Sequence, residues 1–250
     1  MIKKTRIIVT IAITLVLTVI GVLIALNFTG GEKNVERKLP RLSQTQDPQF
    51  HRAMGSLLGP GIVGGNRALE LLNGDQIFPA MLAAIRSAER SITFETYIYW
   101  AGDIGREFAA ALAERARAGV KVHVLLDWVG SAKISDALLE EMQAAGVDVR
   151  KFHEPAWSSL ARMNNRTHRK ILVVDSLLVS VGSTNFDNRS FRLNDEANLN
   201  IFDAAFAARQ TKIFEDDLSR SKRVTFEAWS NRPWQEKLKE RVALLFESQL

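Results

Sequence analysis

The chain of 250 residues has no cysteine, which excludes a disulfide framework, a thiolate zinc site and a cysteine nucleophile. It also lacks a strong charge of either sign. Its 33 basic and 28 acidic residues leave +5, a bias toward anionic partners that does not choose among phosphates, nucleic acid and acidic lipid. Hydrophobic residues at 46% against 24% charged exclude a disordered or collagen-like polymer. No second histidine stands at metal-ligand spacing from His168, so neither a metal nor a cofactor is expected.

What the chain does contain begins with residues 7–26, IIVTIAITLVLTVIGVLIAL, a run without charge. At about 1.5 Å per residue it reaches ~30 Å, the hydrocarbon thickness of a bilayer. Lys3, Lys4 and Arg6 precede it, and Asn27-Phe28-Thr29 follows without an A-x-A pattern, so an uncleaved single-pass anchor is expected. The basic start favours the N-terminus inside, although Lys33, Arg37, Lys38 and Arg41 follow closely. Thr10, Thr14 and Thr18 form an i, i+4 stripe whose hydroxyls are expected to bond back to the preceding turn. The expected division is a basic flank over 1–6, a transmembrane helix over 7–26, a linker over 27–65 and a catalytic lobe over 66–250.

Within the lobe, strand and helix patterns alternate. Strands are expected over 68–72, 91–100, 120–126, 147–152, 171–174, 178–181 and 198–202. Helices are expected from Asp75 to about Ala88, from Asp103 to about Ala118, and over 131–145, 204–219 and 233–248. This order gives βαβ units, hence an α/β fold: a mixed sheet flanked by helices on both faces.

The chemistry concentrates in THRKILVVDSLLVSVGSTN. His168 and Lys170 stand two apart at the start of a strand, so their side chains share a face. The following strand returns Ser183 and Asn185 beside them, with Gly182 allowing close approach. An imidazole can act as nucleophile, acid or base, and ammonium and amide donors suit phosphoryl oxygens. A lysine in an apolar strand is costly unless a partner or an anionic ligand offsets it. His51, His123 and His153 read as ordinary structural histidines.

The spacing HxK-x4-D-x6-GSxN resembles the signature motif of the phospholipase D superfamily. GNRALELLNGDQIFPAMLAAIRSAERSITFETYIYW, ERARAGVKVHVLLDWVGS, AAGVDVRKFHEP and NNRTHRKILVVD resemble the first lobe of bacterial cardiolipin synthases, and the likeness runs from about Gly64 to the C-terminus. The resemblance implies one phospholipase D-like lobe in which His168 forms a phosphohistidine or acts as its acid partner. It implies that Lys170, Ser183 and Asn185 hold phosphate oxygens. Glu196, 28 residues after His168, would orient the imidazole, and Asp175 completes the catalytic motif in a supporting role.

By the same resemblance the reaction is phosphatidyl transfer between phosphatidylglycerol molecules, giving cardiolipin and glycerol at a bacterial cell membrane. The alternatives are a phosphodiesterase or nuclease acting as a homodimer, or a truncated inactive relative; nucleic acid is the less favoured partner. Arg162, Arg166 and Arg169 form a modest basic cluster, and Tyr97, Tyr99 and Trp100 an aromatic one. Cardiolipin synthases carry two motifs on two lobes, whereas this chain has one. Its approach resembles the first copy and VGSTNFDNRSFRLNDEANLNIFD the second, which suggests an in-frame loss with a junction near 171–175. A homodimer would then complete the site.

Overall fold

The computed structural model describes residues 2–28, 44, 46–58, 65–99, 102–153 and 166–234, and the chain divides into two compact units, Met1–Ile62 and Val63–Leu250.

In the first unit, α1 (Ile2–Phe28) contains the stretch Lys4–Val22, long and apolar enough to cross a membrane. The threonine hydroxyls bond back along it: Thr10, Thr14 and Thr18 donate to the carbonyls of Arg6, Thr10 and Thr14 at 2.9, 2.9 and 2.8 Å. A second helix, α2 (Pro48–Leu58), lies in the stretch where the sequence shows no clear period. Proline in the first turn costs no hydrogen bond, and the Asp47 carboxylate accepts from the Gln49 amide at 2.7 Å.

The second unit is a mixed sheet covered on both faces. In chain order it comprises β1 (Arg67–Leu72), α3 (Asn73–Arg86), β2 (Ser91–Thr96), α4 (Asp103–Arg117), β3 (Lys121–Asp127), α5 (Asp136–Ala144) and β4 (Asp148–Phe152). It continues with β5 (Ile171–Val174), β6 (Leu178–Gly182), α6 (Asn188–Arg192), β7 (Ala197–Phe202), α7 (Ala204–Ser219), β8 (Lys222–Arg223) and α8 (Phe226–Ser230). The strand order is β1-β7-β6-β5-β2-β3-β4-β8. Among the described strands only β2, β3 and β4 pair in parallel, through the crossovers α4 and α5; the other strand pairs are antiparallel.

The main core lies between the sheet and α3, α4 and α5, whose periodic apolar residues Ile77, Phe78, Ile85, Phe108, Leu112 and Leu139 are buried. On the opposite face α7 buries Ala207 against Val173 and Val179, and Phe214 against Leu125 and Phe152. At the centre of the main core Phe186 packs edge-on against Phe94 and Phe108, with ring centroids 4.6 and 4.5 Å away. Phe186 immediately follows Asn185, so the aromatic core fixes the end of the GSTN turn.

Two elements are shorter than their residue patterns suggest, and both departures shape the site. β2 stops at Thr96, not at residue 100, and the chain leaves the ladder so that Tyr97 turns away while Tyr99 enters the core. The helix expected over 131–145 begins only at Asp136, capped by Ser135. Before it, the Asp127 carboxylate takes the amides of Val129 and Gly130, and Ser131 Oγ donates to the Asp127 carbonyl. Those local bonds compete with helix formation and hold residues 128–133 as turns. The helix expected over 233–248 lies, past residue 234, outside the described residues, as do Trp100 and Arg162.

Candidate active site

The site forms where β2, β3 and β6 end and β5 begins. His168 and Lys170 precede β5 in an extended segment outside the regular ladder, where the sequence pattern places them in the strand itself. Both nonetheless meet one ring. The His168 imidazole stacks on Tyr97 with centroids 5.1 Å apart and planes 16° from parallel, and Lys170 Nζ stands 5.7 Å from the same ring centroid. Lys170 Nζ also donates to the His168 carbonyl at 2.9 Å. Tyr97 is buried, whereas His168 is exposed. Gly130 makes the arrangement possible, because a Cβ there would overlap the Tyr97 carbonyl.

The GSTN turn closes the other side. The Gly182 amide reaches the Lys170 carbonyl at 3.4 Å, and a side chain at Gly182 would overlap Asn198 and the Ala197 carbonyl. The Thr184 hydroxyl is buried and donates to Asn198 Oδ1 at 3.0 Å. Asn185 is held through its backbone amide, 3.2 Å from Ser190 Oγ, and its side-chain Oδ1 is buried with no hydrogen-bond partner. Ser183 Oγ donates to Glu196 and accepts from the Ala197 amide at 3.1 Å.

Glu196, expected to orient the imidazole, stands beside Ser183 in this chain. Its backbone is fixed by Asn73, which donates its amide to the Glu196 carbonyl at 2.8 Å and accepts the Glu196 amide at 3.0 Å through its side chain. From that anchor the carboxylate meets Ser183 and Asn194, and its charge acts on Lys170 rather than bonding to the imidazole.

Asp175, given a supporting role by the motif, lies apart from these residues. It lies at the far end of β5 from Lys170, about 16 Å along the extended chain, and takes no part in the pocket. Its side chain accepts the amides of Glu89, Arg90 and Ser91 at 2.9, 2.7 and 2.9 Å, and Arg90 Nη2 donates to its carbonyl at 2.6 Å. Asp175 therefore ties the β5–β6 turn to the entry of β2. Burial alone would raise its carboxyl, but the three amides and Arg90 hold it below the ordinary aspartate value.

The basic cluster also separates. Arg169 turns to the opposite side, where Nε meets Glu95 at 3.2 Å and Nη2 pairs with Asp217 of α7, both carboxylates buried. Tyr99 is a core residue whose hydroxyl donates to the Gly105 carbonyl at 2.7 Å.

The residue pattern gave no notice of Asp127. It is buried at the last position of β3, and its second oxygen accepts the amide of Thr167 at 2.9 Å, one residue before His168. The one available signal was a carboxylate ending an otherwise apolar strand, VKVHVLLD.

Electrostatically the site favours neutral imidazole. Burial and the neighbouring Lys170 ammonium lower the His168 pKa below its ordinary value, against an opposing pull from Asp127. Burial lowers that of Lys170 as well, opposed by Glu196 and Asp127. A neutral imidazole beside an ammonium suits attack on a phosphate diester.

Residues 81–218 match the family described as cardiolipin synthase, PLD-like domain. The chain belongs to that family. Among curated relatives, the cardiolipin synthase B of Salmonella typhi is 40% identical over 125 residues, 49% of this chain and 30% of the relative. The chain thus aligns with less than a third of that relative's length. Among solved structures, Nuc from Salmonella typhimurium, a phospholipase D family member, superposes with a TM-score of 0.54 at 22% identity, covering 64% of this chain and 99% of Nuc. NucT from Helicobacter pylori gives 0.53 at 17%, covering 64% of this chain and all (100%) of NucT. These two structures share the fold of this lobe.

Proposed function

We propose that the protein is a cardiolipin synthase-like phosphatidyltransferase working through a phosphohistidine on His168. The observation that carries the reading is the meeting of His168 and Lys170 against Tyr97, with the GSTN turn beside them, in a chain of this family. An imidazole nitrogen of His168 attacks the phosphorus of one phosphatidylglycerol. A phosphorus–nitrogen bond forms, the bond to the glycerol oxygen breaks, and glycerol leaves with a proton from an acid. The hydroxyl of a second phosphatidylglycerol then attacks the phosphohistidine, losing its proton and returning free imidazole. Two phosphatidylglycerols become cardiolipin and glycerol.

Lys170 and Asn185 hold the non-bridging oxygens, and Ser183 joins them by turning its O–H from Glu196 to the phosphate. Glu196 keeps Lys170 charged. One imidazole cannot attack from one side and protonate the leaving group on the other in a fixed geometry. A second copy, related by a two-fold axis, supplies the second His168 as the acid. The anchor α1 holds both copies in one bacterial membrane, N-terminus inside, and raises their effective concentration.

Incubation of the purified chain with labelled phosphatidylglycerol tests the reading. Cardiolipin with an equivalent of glycerol supports it. Phosphatidic acid with glycerol would mean that water replaces the second alcohol, making the protein a hydrolase. Cleavage of DNA with no lipid turnover would move the substrate to nucleic acid.

A further inference from the structure

The phosphoryl chemistry leaves one buried carboxylate at the site without a task. Asp127 is 1% exposed. Its Oδ1 accepts the amides of Val129 and Gly130 at 2.9 and 3.0 Å, and its Oδ2 accepts the Thr167 amide at 2.9 Å. Residues 166–170 belong to no regular strand, so ladder bonds do not set where His168 stands. Besides the Gly182 amide on the Lys170 carbonyl, two fastenings hold the segment. Thr167 is bound by its backbone to Asp127, and Arg169 by its side chain to Glu95 and Asp217. Fastened at alternate residues, the extended segment presents His168 and Lys170 to Tyr97.

We propose that Asp127 is a positioning residue for His168: it anchors the segment carrying the imidazole to the end of β3 through the Thr167 amide and brings its carboxyl close enough to act on the ring. The proposal rests on reading His168 as the reacting group. The charges around the imidazole are Lys170 and Arg166 from its own segment and Asp127 from β3, with the Tyr97 ring from the end of β2. Asp127 also faces His153 at the end of β4, and Glu196 faces Lys170. Among these groups Asp127 alone draws a proton toward His168. It therefore tempers the two cations that would otherwise make the imidazole a weaker base, and so a poorer proton acceptor after transfer.

The test is an NMR titration of the full chain in detergent micelles, labelled with ¹³C at its four histidines, with His168 assigned through His168→Ala. Asp127→Asn removes the charge and leaves one acceptor oxygen for two sets of donors. The titration midpoint of His168 should move to lower pH, and its line should broaden as the segment loosens. The resonances of His123, paired with Asp148 at 3.2 Å, should keep their wild-type chemical shifts at a fixed pH, showing that the fold is intact. A folded variant whose His168 midpoint stays in place overturns the proposal and leaves Asp127 as a fold residue only. If Asp127→Asn does not fold, the wild type decides, with ¹³C-carboxyl aspartate and Asp127 assigned through Trp128. The Asp127 carboxyl should then show a second inflection at the His168 midpoint, because interacting groups titrate together. A single inflection contradicts the proposal. Neither titration needs turnover, so failure of the lipid-transfer reading would leave this result standing.

Discussion

Tyr97 lies flat against His168, with ring centroids 5.1 Å apart and planes at 16°. The ring forms one wall of the imidazole's pocket, and Lys170 shares it from 5.7 Å. A rigid aromatic wall limits rotation of the imidazole, so on the proposed mechanism it would need no long side-chain search before attack. The relationship depends on β2 ending one residue before Tyr97 and on the absence of a side chain at Gly130.

Lys170 supplies the cation of this pocket and also braces the His168 carbonyl at 2.9 Å. Lys170→Ala should lower kcat by on the order of 10²–10³, the loss seen when one preorganised donor to a developing charge is removed. Lys170→Arg should recover only part, since the guanidinium has a different shape and donor geometry. Steady-state kinetics on phosphatidylglycerol vesicles checks both. An Ala variant within twofold of wild type would remove Lys170 from the chemistry.

The pH profile follows from the directions of the two shifts. The imidazole must be neutral to attack, and its pKa lies below the ordinary 6.5, so activity should persist in mild acid and fall only below that value. On the alkaline side the second His168 must stay protonated to act as the acid, so activity should decline first as that imidazole loses its proton. It should decline again as Lys170, whose pKa lies below the ordinary 10.5, loses its charge. A profile of kcat/KM against pH measures both limbs. An acid limb above 6.5 would contradict the electrostatics of the site.

Asp175 should matter to stability and not to transfer chemistry. Asp175→Asn gives up one acceptor oxygen and turns an amide toward backbone N–H donors, a loss of about 2 kcal/mol by the usual scale for hydrogen bonds to charged groups. Because the folded carboxyl titrates below its unfolded value of 3.8, its contribution is present above that value and disappears as pH falls through the folded pKa. Thermal melts of wild type and variant should therefore differ at pH 7 and converge in strong acid. Equal melting temperatures at pH 7 would contradict the staple.

If two chains complete one site, a His168→Ala chain should poison the wild type. Under random pairing, activity should follow the square of the wild-type fraction, because a mixed pair keeps only one imidazole. Co-reconstitution at fixed total protein gives the curve. A straight line would mean that each chain works alone.

Much of this fold was legible because its parallel half is built from local patterns. Apolar runs such as 120–126 and helices closed by Gly119 and Gly146, both at positive φ, announce their own ends. The pairing of β1 with β7 joins segments far apart in the chain, and no local period encodes it. In the site, His168, Lys170 and the GSTN turn were legible by spacing, since strand return brings such residues together. The place of Asp175 outside the pocket was not legible, because a motif records which residues recur together, not which face one pocket. Glu196 meets Ser183 because Asn73, more than a hundred residues earlier, fixes its backbone. Asp127 stayed hidden because its partners are backbone amides, which any residue supplies.

The claim at the centre is a covalent bond between phosphorus and His168. Acid denatures the protein but also cleaves phosphohistidine, so the reaction should be stopped in alkali within its first turnover, using phosphatidylglycerol labelled at phosphorus. Peptide mass spectrometry then locates the label. A phosphatidyl adduct on the His168 peptide, lost on mild acid treatment and absent from His168→Ala, is the predicted result. Steady turnover with no adduct, or with the label on another residue, would contradict the mechanism.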